Sequence, residues 1–145
     1  VYQNPDYQLF MQTVEKEIKF GAKSDEYADE IAEKFGIKHL YARHPQSLSE
    51  GQKRRVSIAA VVATDPEVLI LDEPTVGQDY KGLCEMVEVL NKLHEEAHNT
   101  MITVTHDKRC AAALCDKSVW IKNGKTYKTG GKELVDEFFI QIGVN

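Results

Sequence analysis

Residues 68–74 read Val-Leu-Ile-Leu-Asp-Glu-Pro, a short apolar run that ends in two adjacent carboxylates. An uninterrupted apolar run of this length is typical of a strand in a parallel sheet that is covered on both faces. Asp72 and Glu73 would then stand at the carboxyl end of the strand, where open α/β sheets bind their ligands. The alternative is that the two acids only cap a turn before Pro74.

A second informative stretch precedes this strand: residues 48–52 read Leu-Ser-Glu-Gly-Gln. The spacing of Ser49 and Gln52 predicts a capping box that begins a helix reaching about residue 64. The free N–H groups and the positive dipole end of such a helix form an anion site, and Gly51 allows close backbone approach. A well-capped helix without any ligand is the alternative.

The segment after residue 74 predicts a parallel crossover. A helix over about residues 81–97 has an apolar face, and a second strand follows over about residues 101–105. Strand, helix and strand at this spacing form a right-handed crossover that places both strand ends at one sheet edge. His106 would then emerge beside the acids, although a histidine at a strand end can also be purely structural.

These residues suit the hydrolysis of a nucleotide. Asp72 is placed to hold a nucleotide-bound Mg²⁺, and Glu73 to orient or deprotonate the attacking water. His106 is placed to hydrogen-bond a γ-phosphate and that water. The side-chain amide of Gln3 could reach the metal or the water.

The predicted secondary structure divides the chain into a helical segment and an α/β segment. Residues 1–65 are predicted to be mainly helical, with a helix over about residues 25–35 that ends at Gly36, and residues 66–145 to be α/β. Asn123-Gly124 indicates a two-residue hairpin turn. A last helix would bury one face, formed by Leu134, Val135, Phe138, Phe139 and Ile142.

Composition bounds the class of protein. The chain has 145 residues, 42% of them hydrophobic, as in a folded domain, and no apolar run long enough to span a bilayer. A net charge of −5 argues against nucleic acid as a partner, and the single basic run, residues 53–55, is too short to change this.

The three cysteines lack CxxC spacing and are expected to be reduced thiols. Because the chain starts abruptly at Val1, we expect an excised segment of a longer protein.

The motifs together resemble an ABC-type ATPase over essentially the whole chain. By this resemblance Gln3 is the Q-loop glutamine, and the run Leu48, Ser49, Glu50, Gly51, Gln52 is the signature motif. Residues 68–72 resemble the Walker B strand, with Glu73 as the catalytic carboxylate. Asp79 resembles the D-loop aspartate and His106 the switch histidine. The implied fold is the C-terminal part of a nucleotide-binding domain, with a helical subdomain and part of a RecA-like parallel-sheet core.

A closer resemblance is to the energy-coupling factor class of importers, which take up vitamins or transition metals. It is carried by residues 3–8, 13–15, 20–21 and 55–59. Three positions depart from the family pattern: Glu50 replaces Gly, Gln78 replaces Leu, and Tyr80 replaces Pro.

The resemblance implies an assembly. Two ATPase domains would sandwich ATP and Mg²⁺, with the signature of one domain touching the γ-phosphate held by the other. The protein would lie at the cytoplasmic face of the membrane, peripheral to transmembrane transporter subunits that the helical subdomain contacts.

Two further patterns are misleading. Residues 124–126 read Gly-Lys-Thr, but Val119 stands where a P-loop needs its first glycine, so the chain has no P-loop. We therefore expect this chain alone to be inactive. Residues 94–98 match the H-E-x-x-H zinc motif, but they lie at the polar end of a helix and no third ligand follows.

Two other functions stay open from sequence alone. A soluble ABC protein of translation or DNA repair would share these motifs, although repair types insert a long coiled coil where this chain has only residues 4–48. A non-catalytic binding fragment is the second alternative.

Overall fold

The computed structural model describes residues 1–97 and 99–143. The chain divides into two compact units, Val1–Val104 and Thr105–Asn145. The helical segment and the first strand pair therefore share one unit. The predicted division near residue 65, which follows a change in secondary structure, stays a prediction.

The first unit begins with short helical elements around one buried helix. These elements are the 3₁₀ turns Pro5–Tyr7, Lys38–Leu40 and Pro45–Ser47 and the helices α1 (Val14–Lys19), α2 (Asp25–Lys34) and α3 (Glu50–Val62). Thr13 and Ser24 cap α1 and α2 through their side-chain oxygens, and Gly36 has φ +64° just after α2. The predicted helix boundaries are thus confirmed to within about two residues.

A parallel strand pair completes the first unit. Strand β1 (Val68–Asp72) is followed by α4 (Tyr80–Ala97) and β2 (Thr100–Val104). The strands pair in parallel, with Val68 opposite Thr100 and Asp72 opposite Val104. The predicted parallel crossover is confirmed, and the apolar face of α4 is buried as expected, at Leu83, Met86, Val87, Leu90 and Leu93.

The prediction that β1 is covered on both faces is wrong for this structure. Leu69 and Leu71 are buried, whereas Val68 and Ile70 are 50% and 53% exposed. On β2, Ile102 and Val104 are 46% and 55% exposed. Side chains alternate between the two faces of a strand, so one face of this sheet is packed and the other is open. An uninterrupted apolar run indicates that the side chains on both faces favour burial. It does not determine whether another element packs on the second face.

The second unit contains helix α5 (Lys108–Leu114), the strands β3 (Ser118–Lys122) and β4 (Lys125–Gly130), and helix α6 (Lys132–Gln141). The two strands form the predicted antiparallel hairpin, whose turn residues Asn123 and Gly124 have φ +51° and +71°. Two positive φ angles are typical of a type I′ turn. Trp120 packs edge-on against Tyr127 and Phe138.

One predicted core position of α6 is wrong. Ile142 is 50% exposed because the helix ends at Gln141 and the chain turns away, whereas Leu134, Val135 and Phe139 are buried. Within residues 1–97 and 99–143, no helix is both long and apolar enough to cross a membrane.

The burial of α4 allows a direct test of the packing. Leu90 has no exposed surface, so Leu90→Ala should lower the free energy of unfolding by about 2–5 kcal/mol through lost burial and a residual cavity. Lys92→Ala, on the same helix but 63% exposed, should change it by less than about 0.5 kcal/mol. Urea-induced unfolding followed by circular dichroism measures both, and equal losses would contradict the described packing.

Candidate functional site

The two acids at the end of β1 occupy different environments. Asp72 ends the strand and is half-buried, opposite Val104. Glu73 extends the ladder by one bond, because its N–H donates to the Val104 carbonyl oxygen at 2.8 Å. It then leaves the strand with φ +47°, a left-handed conformation that side chains other than glycine rarely adopt. The chain therefore turns sharply at Glu73, whose residue surface is only 9% exposed.

Residues 73–79 form a compact turn that leads into α4. The Val76 N–H donates to the Glu73 carbonyl at 3.3 Å, and the Gln78 N–H donates to the Thr75 carbonyl at 3.2 Å. Asp79 caps α4, since its Oδ1 accepts the Gly82 N–H at 2.7 Å. The residue predicted as the D-loop aspartate thus has a helix-capping role in this structure.

The start of α3 has the predicted capping box. Ser49 Oγ accepts the Gln52 N–H at 3.3 Å, and Gln52 Oε1 accepts the Ser49 N–H at 3.1 Å. Leu48 before the cap is buried. Among the described residues, the N–H groups of Glu50 and Gly51 have no hydrogen-bond partner. Two free N–H groups at the positive end of a thirteen-residue helix can receive an anion.

The side chain of Glu50, a departure from the resembled signature, bonds within its own helix. Its carboxylate lies 3.5 Å from Lys53 Nζ, one turn along α3. Lys53 Nζ also lies 2.8 Å from Asp6 Oδ1. The cation of Lys53 therefore offsets the negative charge that Glu50 brings to the helix start.

The turn and the helix start are in direct contact. Gln78 Nε2 donates to the Gly51 carbonyl oxygen at 2.9 Å. A Cβ at position 51 would lie 3.2 Å from the Gly77 carbonyl oxygen, closer than ordinary van der Waals contact. Gly51 thus permits close approach of the turn, whereas close approach of a ligand there stays a prediction. From sequence, Gln78 is only a departure from the family pattern, and the adjacent Gly77 is the available signal for a close contact.

Gln3 is exposed, and its main chain is held by α3. Arg54, which is 3% exposed, donates from Nη1 to the Tyr2 carbonyl oxygen at 2.9 Å and from Nη2 to the Gln3 carbonyl oxygen. Sequence reasoning missed Arg54 as a functional residue. Arg54 lies two positions before the buried Val56 on α3, and this proximity to the apolar face is a weak sequence signal for a buried anchor.

His106 belongs to the second unit, two residues beyond β2. The next residue, Asp107, caps α5 by accepting the Arg109 N–H at 2.8 Å. A side-chain hydrogen bond from Arg109 lowers the pKa of the Asp107 carboxyl below its ordinary value. The first unit therefore carries Gln3, residues 48–52, Asp72, Glu73 and Asp79, whereas the place of His106 beside the acids stays a prediction.

The donor set fits magnesium. Asp72 offers carboxylate oxygens and Gln3 an amide oxygen, and Mg²⁺ prefers oxygen ligands, usually one or two carboxylates together with substrate phosphates. Within the described residues, no group of three or more His, Cys, Asp or Glu side chains could hold a metal ion by itself. His98 of the zinc-like motif lies outside the described residues.

The side chains of the basic run at residues 53–55 bind groups of the protein itself. Lys53 and Arg54 are buried with the partners given above, and Arg55 Nη2 lies 2.7 Å from Glu85 Oε2 on α4. Charges engaged in this way are poorly placed to contact a phosphate backbone.

Comparisons with known proteins agree on one family. A family profile described as ABC transporter matches residues 1–76. The energy-coupling factor transporter ATP-binding protein EcfA2 of Enterococcus faecalis is 43% identical over 93% of the chain and 50% of its own length. The chain thus spans about half the length of the curated relatives it matches.

Solved structures agree on the fold. The structure of cbiO1 from Clostridium perfringens, described as part of the ABC transporter complex cbiONQ, has a TM-score of 0.80 at 34% identity. That match covers 98% of this chain and 61% of cbiO1. The dimeric structure of MJ0796, a bacterial ABC transporter cassette, has a TM-score of 0.76 at 27% identity, covering 91% and 61%.

The contact between the turn and α3 can be tested through Gln78. Gln78→Ala removes the hydrogen bond to the Gly51 carbonyl and should lower the free energy of unfolding by about 1 kcal/mol. Gln46→Ala changes an exposed glutamine in the 3₁₀ turn Pro45–Ser47 and should have almost no effect. Urea-induced unfolding compares the two variants, and a neutral Gln78→Ala would show that the bond contributes nothing to stability.

Proposed function

Because this chain belongs to the ABC transporter family, we propose that it forms the signature- and Walker B-bearing part of an ATP-hydrolysing subunit. One observation carries this proposal: the Asp72-Glu73 end of β1 shares a compact unit with the capped start of α3, and the turn after the acids contacts that start through Gln78. Carboxylates for a metal and free N–H groups for a phosphate are what phosphoryl transfer to water requires.

In the proposed mechanism, Mg²⁺-ATP supplies the phosphoryl group and the cation that neutralises its charge. Asp72 holds the cation, directly or through water, with Gln3 as a second oxygen donor. Glu73 orients the attacking water and accepts its proton. By the family resemblance, His106 would donate a hydrogen bond to the γ-phosphate.

The start of α3 acts on another molecule in this proposal. The free N–H groups of Glu50 and Gly51, with Ser49, would contact the γ-phosphate of an ATP held by a second ATPase domain. The dimeric structure of the MJ0796 cassette supports such an arrangement in general terms. Gln78, which reaches the α3 start, and the adjacent Asp79 would lie near that interface.

We further propose that the subunit powers an importer of the energy-coupling factor type. The identity to EcfA2 and the likeness to cbiO1 of the cbiONQ complex support this class. The subunit would then bind transmembrane partners at the cytoplasmic face of the membrane. A vitamin or a transition metal would be the cargo, selected by those membrane partners.

The proposed catalytic carboxylate gives the main test. In the full-length gene product, Glu73→Gln should lower the kcat of ATP hydrolysis by at least about 100-fold, because a general base contributes at this order. ATP affinity, measured by equilibrium binding, should change little, since the amide keeps the size of the side chain.

The matched control is Glu67→Gln, an exposed glutamate just before β1, which should keep normal turnover. Unchanged hydrolysis in Glu73→Gln would contradict the proposed role of that residue. A loss of equal size in Glu67→Gln would point to a general effect of charge removal on the strand.

The missing P-loop gives a second test. The isolated 145-residue chain should neither hydrolyse ATP nor bind it tightly, because backbone N–H groups for the α- and β-phosphates are not supplied by its motifs. A phosphate-release assay and calorimetric titration with Mg²⁺-ATP measure both properties. Turnover by this chain that disappears with Glu73→Gln would refute the proposed inactivity.

A further inference from the structure

The guanidinium of Arg54 is a buried charge that the mechanism above does not use. Arg54 lies in the second turn of α3 with 3% of its surface exposed. Within the described residues its Nε is buried without a hydrogen-bond partner. Burial lowers the pKa of the guanidinium, while the charges of Glu50, Asp72 and Glu73 act in the opposite direction. Burial of a charged side chain lowers the stability of the fold, so packing alone does not explain an arginine at this position.

Both terminal nitrogens of Arg54 bind the same short piece of main chain. Nη1 donates to the Tyr2 carbonyl oxygen at 2.9 Å and Nη2 to the Gln3 carbonyl oxygen. A planar guanidinium can hold two consecutive carbonyls in one fixed orientation, which a lysine ammonium cannot do. The backbone of Gln3 is therefore fixed relative to α3.

Two other contacts hold the same segment further along. Lys53 Nζ lies 2.8 Å from Asp6 Oδ1, and Gln8 Nε2 donates to the Ser57 carbonyl oxygen at 2.6 Å. These contacts anchor residues 6 and 8 through their side chains. Among the described residues, Arg54 is the one side chain that binds the main chain of Gln3.

We propose that Arg54 is a positioning residue that fixes the backbone of Gln3 to α3, so that the Gln3 amide and the anion-binding start of that helix keep one geometry. This inference rests on the proposed function, in which Gln3 serves one ATP and the start of α3 another. Through Arg54, a displacement of the Gln3 segment at one nucleotide is transmitted directly to the helix that contacts the second.

The test compares Arg54→Gln and Arg54→Lys with the unsubstituted full-length gene product. Hydrogen–deuterium exchange of the segment containing residues 1–9 reports its mobility without depending on activity. In Arg54→Gln the exchange of this segment should become about tenfold faster, the order expected when hydrogen bonds from a charged group are lost.

Steady-state kinetics supply the second readout. Arg54→Gln should lower the kcat of ATP hydrolysis by about tenfold with the KM for Mg²⁺-ATP changed less than about twofold, since the positioning of Gln3 affects the chemical step more than binding. Arg54→Lys retains the charge and one donor and should recover part of the loss in both readouts. A merely structural role would lower the melting temperature without this split between kcat and KM.

Arg43→Gln is the matched control. Arg43 is exposed in the same unit and donates to the Ser47 carbonyl oxygen at 2.7 Å, so this variant removes the same charge far from Gln3. It should leave exchange and kinetics unchanged. If Arg54→Gln does not fold, Arg54→Lys, which keeps a positive charge at this position, provides the comparison.

The outcomes separate the two ideas. Unchanged exchange over residues 1–9 in a folded Arg54→Gln or Arg54→Lys protein would overturn the role of Arg54. Absence of ATP hydrolysis in the unsubstituted protein would instead contradict the proposed function.

Discussion

The burial of helix α3 is the constraint on which the first unit depends. This helix packs against α1, α2, β1 and two 3₁₀ turns, so polar side chains on its buried positions need partners inside the protein. The side chains of Lys53 and Arg54 find these partners in residues 2–8, at Asp6 and at the carbonyls of Tyr2 and Gln3. The Ser57 hydroxyl donates to the Arg54 carbonyl within the helix, and the Ser57 carbonyl accepts a hydrogen bond from Gln8 Nε2. The polar groups of α3 therefore determine where the segment around Gln3 lies.

The same helix connects that segment to the acids. Its start contacts the turn after Glu73 through Gly51 and Gln78, and Arg55 pairs with Glu85 on α4. The parallel pairing of β1 and β2 places Asp72 at the edge from which this turn leaves. One short stretch, residues 49–55, thus contacts the main chain of Gln3, the turn after Glu73 and α4. A change in any one of these contacts affects the relative positions of the rest.

The sequence predicted the elements well because their signals are local. The pair Ser49 and Gln52 and the turn at Asn123 and Gly124 each act on neighbouring backbone groups, and the structure has both as expected. It did not predict the roles of Arg54 and Gln78, because both bind carbonyl oxygens far away in the chain and any residue can supply a carbonyl. The open face of β1 was missed for a related reason, since an apolar pattern indicates which side chains prefer burial and not what covers them.

The left-handed backbone of Glu73 has a consequence for the evolution and engineering of this protein. A non-glycine residue with φ +47° carries a cost on the order of 1–2 kcal/mol that glycine avoids and asparagine reduces. Selection for thermostability alone would therefore favour replacement of the carboxylate at this position. Library methods that reward only folding would remove the residue proposed to activate water, so stability and activity oppose each other in the turn after β1.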